Sequence, residues 1–141
     1  IGVTGVQTCA LPICSNQYRF MLFSSVMFSS EKLIHSWFLK LQSKDNLLNT
    51  NYSKDLLVLL TDIIKNYLTP VNDVTFDFPY GGHSGAIILA ESHLTWHSFP
   101  EDEYITFNLY SCNSEININN LIEELRNLLK ASILYKNIFY I

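Results

Sequence analysis

The sequence predicts a single α+β domain in which two helices pack on one face of an antiparallel sheet. The chain has 141 residues, a length that suits one compact domain. Its apolar patterns follow the order β-α-β-β-β-α-β, which is typical of a layered α+β fold. A short acidic turn, Pro100–Glu103, joins the two central strand-like runs, so these runs should pair antiparallel.

The predicted domain spans residues 33–141. Val3–Ile13 has the sequence VTGVQTCALPI and resembles a translated sequencing adapter. We therefore treat residues 1–13 as a non-native segment that should make few tertiary contacts. We expect residues 14–32 to be an N-terminal extension, within which Met21 or Met27 could be the true start.

Two helices and five strands are predicted in this domain. The first helix, Asp55–Tyr67, has apolar residues at the helical period, and Ser53 or Asn51 could cap it. The second helix, Ile118–Lys130, has the clearest apolar stripe in the chain, and Asn117 is a natural cap. The predicted strands are Leu33–Leu41, Val74–Phe78, Ala86–Trp96, Tyr104–Cys112 and Ser132–Tyr140.

Composition and charge exclude several classes of partner. The net charge is -4 and Lys and Arg do not cluster, which argues against a nucleic-acid partner. No run reaches the ~18 apolar residues of a membrane span, so we expect a cytoplasmic protein without a membrane partner. Hydrophobic residues make up 48% of this short chain, which predicts a buried interface between subunits.

The cysteines and histidines do not predict a disulfide framework or a metal site. The three cysteines, an odd number, have no framework spacing, which favours a reducing compartment. His93 and His97 have the spacing of zinc ligands on a helix. The run around them is β-rich and contains Pro100, so we expect no metal.

The central hairpin determines which side chains can meet. With the turn centred near residue 102, Ser92 should lie opposite Cys112, with their Cβ atoms about 5 Å apart on one sheet face. His97 is an odd number of residues from Ser92, so it should point to the other face, about 16 Å along the strand. Either a bulge brings these two together, or His97 serves the Ser92 of a partner subunit.

The hairpin also predicts the composition of the two sheet faces. The face that carries Ser92 and Cys112 is mixed in polarity, and it should be covered by something other than the helices, such as a second subunit. It carries Ala90, Leu94, Asn108 and Tyr110, whereas the helix-covered face carries Ile87, Leu89, Ile105, Phe107 and Leu109.

A serine hydrolase fits this stretch poorly. Ser92 lacks the G-x-S-x-G elbow that exposes a nucleophilic serine. Taken singly, Ser92, His97 and Cys112 could be an ordinary buried serine, a hydrogen-bonded histidine and a core cysteine.

Together, these residues resemble the bacterial class of S-adenosylmethionine decarboxylase proenzymes. The resemblance covers about residues 74 to 112. It rests on a rare motif around Ser92 and on the number of residues between that motif and Cys112. The matching residues are Ser84-Gly85, then ESHLTWHSFPE over Glu91–Glu101, then Tyr104 and Ser111-Cys112.

The resemblance implies a chain that cuts itself. The Ser92 hydroxyl would attack the Glu91 carbonyl, and elimination would leave a pyruvoyl group made from Ser92 at the new N-terminus. This group would be the only cofactor, would form a Schiff base with the substrate amine and would serve as the electron sink for decarboxylation. The product, decarboxylated S-adenosylmethionine, would feed spermidine synthesis.

The family pattern also implies roles for the surrounding residues. Cys112 would be the proton donor, and Ser84 and His97 would serve processing, with His97 as the base for elimination. The site would be shared across a homodimer of processed units, arranged as an α/β/β/α sandwich. The implied substrate-binding residues are Phe78, which would stack on adenine, with Leu94, Phe99 and Glu101.

The chain departs from the family pattern around the reactive residues. The clearest departures are Phe99 where Trp is usual, Asn108 where Asp is usual, and Asn113 where Gly is usual. They leave two alternatives open. The chain could be a diverged pyruvoyl-dependent decarboxylase of arginine or ornithine, or a non-catalytic paralogue that regulates an active partner.

Overall fold

The computed structural model describes residues 34–140. The predictions for residues 1–13 and 14–32 therefore lie outside the described residues. Among residues 34–140, no helix is both long and apolar enough to cross a bilayer.

Within the described residues, six strands form one antiparallel sheet, in the order β2-β3-β4-β5-β1-β6. The same part of the chain contains two α-helices: α1 follows β1, and α2 follows β5. This confirms the predicted α+β class and the antiparallel sheet. The strands are β1 His35–Gln42, β2 Pro70–Asp77, β3 His83–Leu89, β4 Ser92–Phe99, β5 Tyr104–Ser111 and β6 Ser132–Tyr140; the helices are α1 Ser53–Ile64 and α2 Ile118–Leu128.

Both helices pack on the same face of the sheet. Burial alternates along β5, where every second residue is buried, as expected for a strand with one covered face. The predicted core positions Ile87, Leu89, Ile105, Phe107 and Leu109 are all buried. They belong to one hydrophobic core with Leu56 and Leu60 of α1 and Leu121 and Leu125 of α2.

The predicted long strand Ala86–Trp96 is wrong, because the chain reverses within it. Leu89 ends β3, Ala90 and Glu91 form a turn, and Ser92 begins β4, which pairs antiparallel with β3. The two residues of the turn, Ala90 and Glu91, are not of the types that favour tight turns, so they do not indicate the reversal.

The start of α1 also differs from the prediction, whereas the start of α2 agrees with it. Neither Asn51 nor Ser53 caps α1: the N-cap position is Tyr52, without a side-chain hydrogen bond. The Asp77 carboxylate of β2 accepts hydrogen bonds from the backbone N–H of Asn51, the N–H of Ser53 and the Ser53 hydroxyl. In α2, the Asn117 side chain accepts from the Asn120 N–H, as predicted.

The sheet face opposite the helices carries exposed apolar side chains. Val74, Phe76, Ile88 and Phe139 are between 48% and 63% exposed. Several exposed apolar side chains on one face are typical of a surface that contacts another molecule. This open face also carries the polar residues of the candidate site.

Candidate active site

The β4–β5 hairpin has a different register from the one predicted. Its loop has four residues, with Glu103 in the left-handed conformation (φ 57°), and Phe99 pairs with Tyr104. A loop with an even number of residues has its midpoint between two residues, here 101 and 102 rather than at residue 102. Every residue of β4 therefore pairs one position earlier on β5 than predicted. Ser92 therefore pairs with Ser111 rather than with Cys112.

Cys112 nevertheless lies beside the bond that precedes Ser92. The Cys112 backbone N–H donates a hydrogen bond of 3.1 Å to the carbonyl oxygen of Glu91. Strict alternation would place the Ser92 side chain with Leu94, on the helix side. Ser92 has a φ of 154°, however, a conformation that L-residues rarely adopt. The backbone at Ser92 therefore departs from the regular strand conformation on which this alternation depends.

Ser84 and His97 form a hydrogen-bonded pair on the open face. They are direct partners in the β3–β4 ladder, and the Ser84 hydroxyl lies 2.6 Å from Nδ1 of His97. At this distance a proton can pass between the two side chains, which is the arrangement of a general acid–base pair.

A buried polar network lies directly behind this pair. The Trp96 indole N–H donates to Nδ1 of His83 (3.1 Å), and Nε2 of His83 lies 2.6 Å from the carbonyl oxygen of Leu47. Because Nδ1 accepts a hydrogen bond, Nε2 must carry the proton and donate to Leu47. The Ser98 hydroxyl contacts the Leu48 carbonyl oxygen at 2.7 Å. These contacts fasten the loop after β1 to the strands that carry Ser84 and His97.

Gly85 is required for this network. The Trp96 ring packs so closely on Gly85 that an added Cβ would lie 2.1 Å from a ring carbon. Only a residue without a side chain allows the ring to approach the backbone this closely.

An open cavity of about 490 Å³ lies next to the Ser84–His97 pair. Most of its surface is apolar, with three aromatic side chains, and Glu101 supplies its one carboxylate. Tyr80, fully exposed at the tip of the turn after β2, is a lining residue that the sequence analysis missed. The cavity is lined by Phe78, Pro79, Tyr80, Gly81, Ser84, His97, Ser98, Phe99 and Glu101.

The structure does not bring all the predicted residues into this cavity. Five of them line it, namely Phe78, Ser84, His97, Phe99 and Glu101, whereas Ser92, Cys112 and Leu94 do not.

The register explains these positions. The side chain of Leu94 is fully buried, opposite Leu109 in the core, so the prediction that it shares a face with Asn108 and Tyr110 is wrong. Ser92 is five residues from His97, or about 16 Å along β4.

The histidines of β4 are separated by the extended backbone. His93 stacks on Tyr110, with ring centroids 5.6 Å apart and an angle of 6° between the ring planes. His97 lies four residues further along the strand, about 13 Å away. Within residues 34–140, no group of three or more His, Cys, Asp or Glu side chains is arranged to hold a metal ion.

Comparisons with known sequences agree on one family. A sequence model described as S-adenosylmethionine decarboxylase matches residues 39–138. A protein of Clostridium botulinum (strain Loch Maree) named S-adenosylmethionine decarboxylase proenzyme is 32% identical over 82 residues, 58% of this chain and 69% of its own length. A protein of the same name from Oceanobacillus iheyensis is 40% identical over 55 residues, 39% of this chain and only 43% of its own length.

A solved structure has the same fold. The adenosylmethionine decarboxylase of Aquifex aeolicus superposes with a TM-score of 0.63, over 79% of this chain and 91% of that protein. The two sequences are 21% identical, so this similarity supports the fold alone.

Proposed function

The chain belongs to the S-adenosylmethionine decarboxylase family, and from this we propose that it is a self-processing, pyruvoyl-dependent decarboxylase of S-adenosylmethionine. Its product would supply spermidine synthesis. The observation that carries the proposal is the geometry of the Glu91–Ser92 bond. Ser92 has the rare φ of 154°, and the carbonyl before it accepts the Cys112 N–H. A strained serine beside a polarised carbonyl is what an attack on the preceding bond requires.

The proposed cleavage begins with the Ser92 hydroxyl. Its oxygen attacks the Glu91 carbonyl carbon, the carbon–nitrogen bond breaks, and an ester forms while the amine takes the proton. The Cys112 N–H is placed to stabilise the negative charge that develops on the Glu91 oxygen.

Elimination then completes the cleavage. A base removes the α-proton of residue 92, the bond between its β-carbon and the ester oxygen breaks, and Glu91 leaves as a carboxylate. The remaining enamine tautomerises to an imine, and water hydrolyses it with loss of ammonia. The second chain is left with a terminal pyruvoyl group, and we assign the role of base to His97, which Ser84 orients at 2.6 Å.

The cavity suits a cationic substrate with a flat ring. Phe78, Tyr80 and Phe99 line it together with the Glu101 carboxylate, and aromatic faces attract cations. S-adenosylmethionine combines a sulfonium cation with an adenine ring. Arginine and ornithine lack the aromatic ring, so the three aromatic side chains favour S-adenosylmethionine over these alternatives.

The residues present fit a pyruvoyl group at position 92. When formed, the group supplies an electrophilic carbonyl that accepts electrons as carbon dioxide leaves. Phe78 would stack on the adenine, Glu101 would hold the substrate at the rim, and the Cys112 thiol would return a proton to the substrate carbon.

We propose a homodimer in which the two open faces pack together. Ser92 is about 16 Å from His97 within one chain, so a single subunit does not bring the base to the bond. Exposed apolar residues, including Phe76 and Ile88, would be covered by the second copy. The Ser84–His97 pair of one subunit would then act on the Glu91–Ser92 bond of the other, in an α/β/β/α sandwich. A cytoplasmic location fits, because a reducing compartment keeps the Cys112 thiol reduced.

Chain masses and carbon dioxide release test the proposal. Denaturing mass spectrometry of the purified protein should show two chains, separated at Glu91–Ser92, and borohydride should add mass only to the second. Labelled S-adenosylmethionine should release carbon dioxide, while arginine and ornithine should not. An intact chain refutes self-processing, and a cleaved chain without release from any of the three supports the regulatory alternative.

A further inference from the structure

A single threonine holds the side chain of Glu91. The Thr69 backbone N–H donates to one carboxylate oxygen (2.9 Å), and the Thr69 hydroxyl donates to the other (3.0 Å). The Thr69 carbonyl in turn accepts the N–H of Ala90 at 2.9 Å. Glu91 is only 4% exposed, which is rare for a carboxylate unless it has partners. Thr69 therefore fixes both residues of the two-residue turn.

Glu91 is held from its other side by Cys112, the residue after β5. The Cys112 N–H donates to the Glu91 carbonyl, so the side chain and the carbonyl of Glu91 are held by two different segments of the chain. A φ such as that of Ser92 persists only where the surrounding contacts leave no way to relax. Because Glu91 is held at both ends, it cannot rotate to relieve the strain on Ser92.

We propose that Thr69 is a positioning residue for cleavage of the chain, an inference that rests on the proposed self-processing. It keeps the Glu91 carboxylate on the β2 side, so that the Glu91 carbonyl stays on the Cys112 N–H and its carbon faces the Ser92 hydroxyl. Thr69 touches neither reacting atom and acts through the turn residues Ala90 and Glu91. The same contacts would retain Glu91 as the carboxyl terminus of the first chain after cleavage.

Substitution of Thr69 separates this role from a general effect on folding. Thr69→Val keeps the shape and removes the hydroxyl donor, whereas Thr69→Ser keeps the donor. Thr75→Val is the matched control, since Thr75 lies on β2, the strand that follows Thr69. It pairs with Gly85 and is about 20 Å from Thr69. Each full-length chain is synthesised in a cell-free system, and cleavage is followed over time by mass spectrometry.

We expect Thr69→Val to cleave about tenfold to a hundredfold more slowly, the range for loss of a hydrogen bond to a charged group. Thr69→Ser and Thr75→Val should cleave at close to the unsubstituted rate. Hydroxylamine, which breaks an accumulated ester, should not restore the rate of Thr69→Val, because the defect precedes ester formation. Rapid cleavage of Thr69→Val by hydroxylamine would overturn the proposal. Cleavage of Thr69→Val at the rate of the unsubstituted chain, without hydroxylamine, would also overturn it.

A second variant keeps the test valid if Thr69→Val does not fold properly. If Thr69→Val melts below the unsubstituted chain, Glu91→Gln provides the measurement, because it keeps the volume but replaces one acceptor oxygen with an amide group. It too should cleave slowly, and cleavage at the unsubstituted rate would overturn the proposal. An unsubstituted chain that stays intact refutes self-processing and the role of Thr69 together. Normal cleavage of Thr69→Val beside a cleaving unsubstituted chain refutes the role of Thr69 alone.

Discussion

At one end of the β3–β4 hairpin, Ser84 and His97 face each other in a regular ladder, whereas at the other end the chain reverses within two residues. Behind the first end, the buried side chains of His83, Trp96 and Ser98 all have hydrogen-bond partners. At the second end, Ser92 has a strained φ.

The difference separates two chemical requirements within one hairpin. A proton-transfer pair works best when its geometry is fixed, and a ladder with a buried network behind it provides that rigidity. A peptide bond that must break benefits from strain that its surroundings do not allow to relax. The two ends are too far apart to react within one subunit, so the comparison also predicts that two subunits must meet.

Mixed dimers give the largest expected effect. A Ser92→Ala chain has an intact Ser84–His97 pair and no nucleophile, whereas a His97→Ala chain has the reverse. Each variant alone should remain uncleaved or nearly so. When both are co-expressed with different tags, the His97→Ala chain should be cleaved within isolated mixed dimers. Mass spectrometry distinguishes the chains, and intact chains in such dimers would contradict a shared site.

Gly85→Ala should cause the next largest effect, a loss of about 2–3 kcal/mol in the free energy of unfolding. The added Cβ would lie 2.1 Å from the Trp96 ring, so the ring must move and its hydrogen bond to His83 must break. Urea unfolding measures the loss. Trp96→Phe is the matched control, since it removes the indole N–H without adding a Cβ, and it should cost about 1 kcal/mol. Equal stability of Gly85→Ala and the unsubstituted chain would show that the Trp96 ring is not held rigidly at the Ser84–His97 end of the hairpin.

The sequence could predict the regular parts of the fold because they follow local patterns. The buried positions of β5, such as Phe107, alternate with polar ones, and Asn117 lies just before an amphipathic run and caps it. The residues of the Ser84–His97 pair were also identified from the sequence, although only through the family resemblance. Their direct contact depends on the β3–β4 register.

The remaining features depend on contacts between distant segments. The side chain that accepts the hydrogen bonds at the start of α1 is Asp77, which lies on β2, after the helix in sequence. No capping pattern near Ser53 could therefore reveal it. The turn at Ala90 and Glu91 has no turn-forming residue, and Thr69 holds it from the start of β2. The one-residue shift in the β4–β5 register, in contrast, has a local cause, because the predicted four-residue loop Pro100–Glu103 has its midpoint between residues 101 and 102 rather than at residue 102.

Asp77→Asn tests how β2 holds the start of α1, with an expected loss of about 1–2 kcal/mol in the free energy of unfolding at neutral pH. Burial raises the pKa of Asp77, but hydrogen bonds from Ser53 and Asn51 outweigh this effect and leave the pKa below its ordinary value. A lowered carboxyl pKa stabilises the fold above the unfolded pKa of about 3.9, and this contribution is lost as the pH falls.

Urea unfolding at a series of pH values measures this effect. The stability difference between the unsubstituted chain and Asp77→Asn should shrink as the pH falls below about 4. A difference that is independent of pH would show that the charge of Asp77 plays no part. Asp73→Asn is a control on the same strand, and it should leave the stability close to that of the unsubstituted chain.

Strain at Ser92 gives the smallest effect, and its sign distinguishes the two ends of the hairpin. Ser92→Gly and Ser92→Ala both lack the hydroxyl, so neither should cleave and their intact chains can be compared directly. Glycine adopts positive φ without steric cost, so Ser92→Gly should be the more stable by about 1 kcal/mol. At Ala86, in the regular ladder, Ala86→Gly should instead lose about 0.5–1 kcal/mol. Glycine should therefore stabilise one end of the hairpin and destabilise the other, and the same sign at both positions would mean that the Ser92 backbone is not strained.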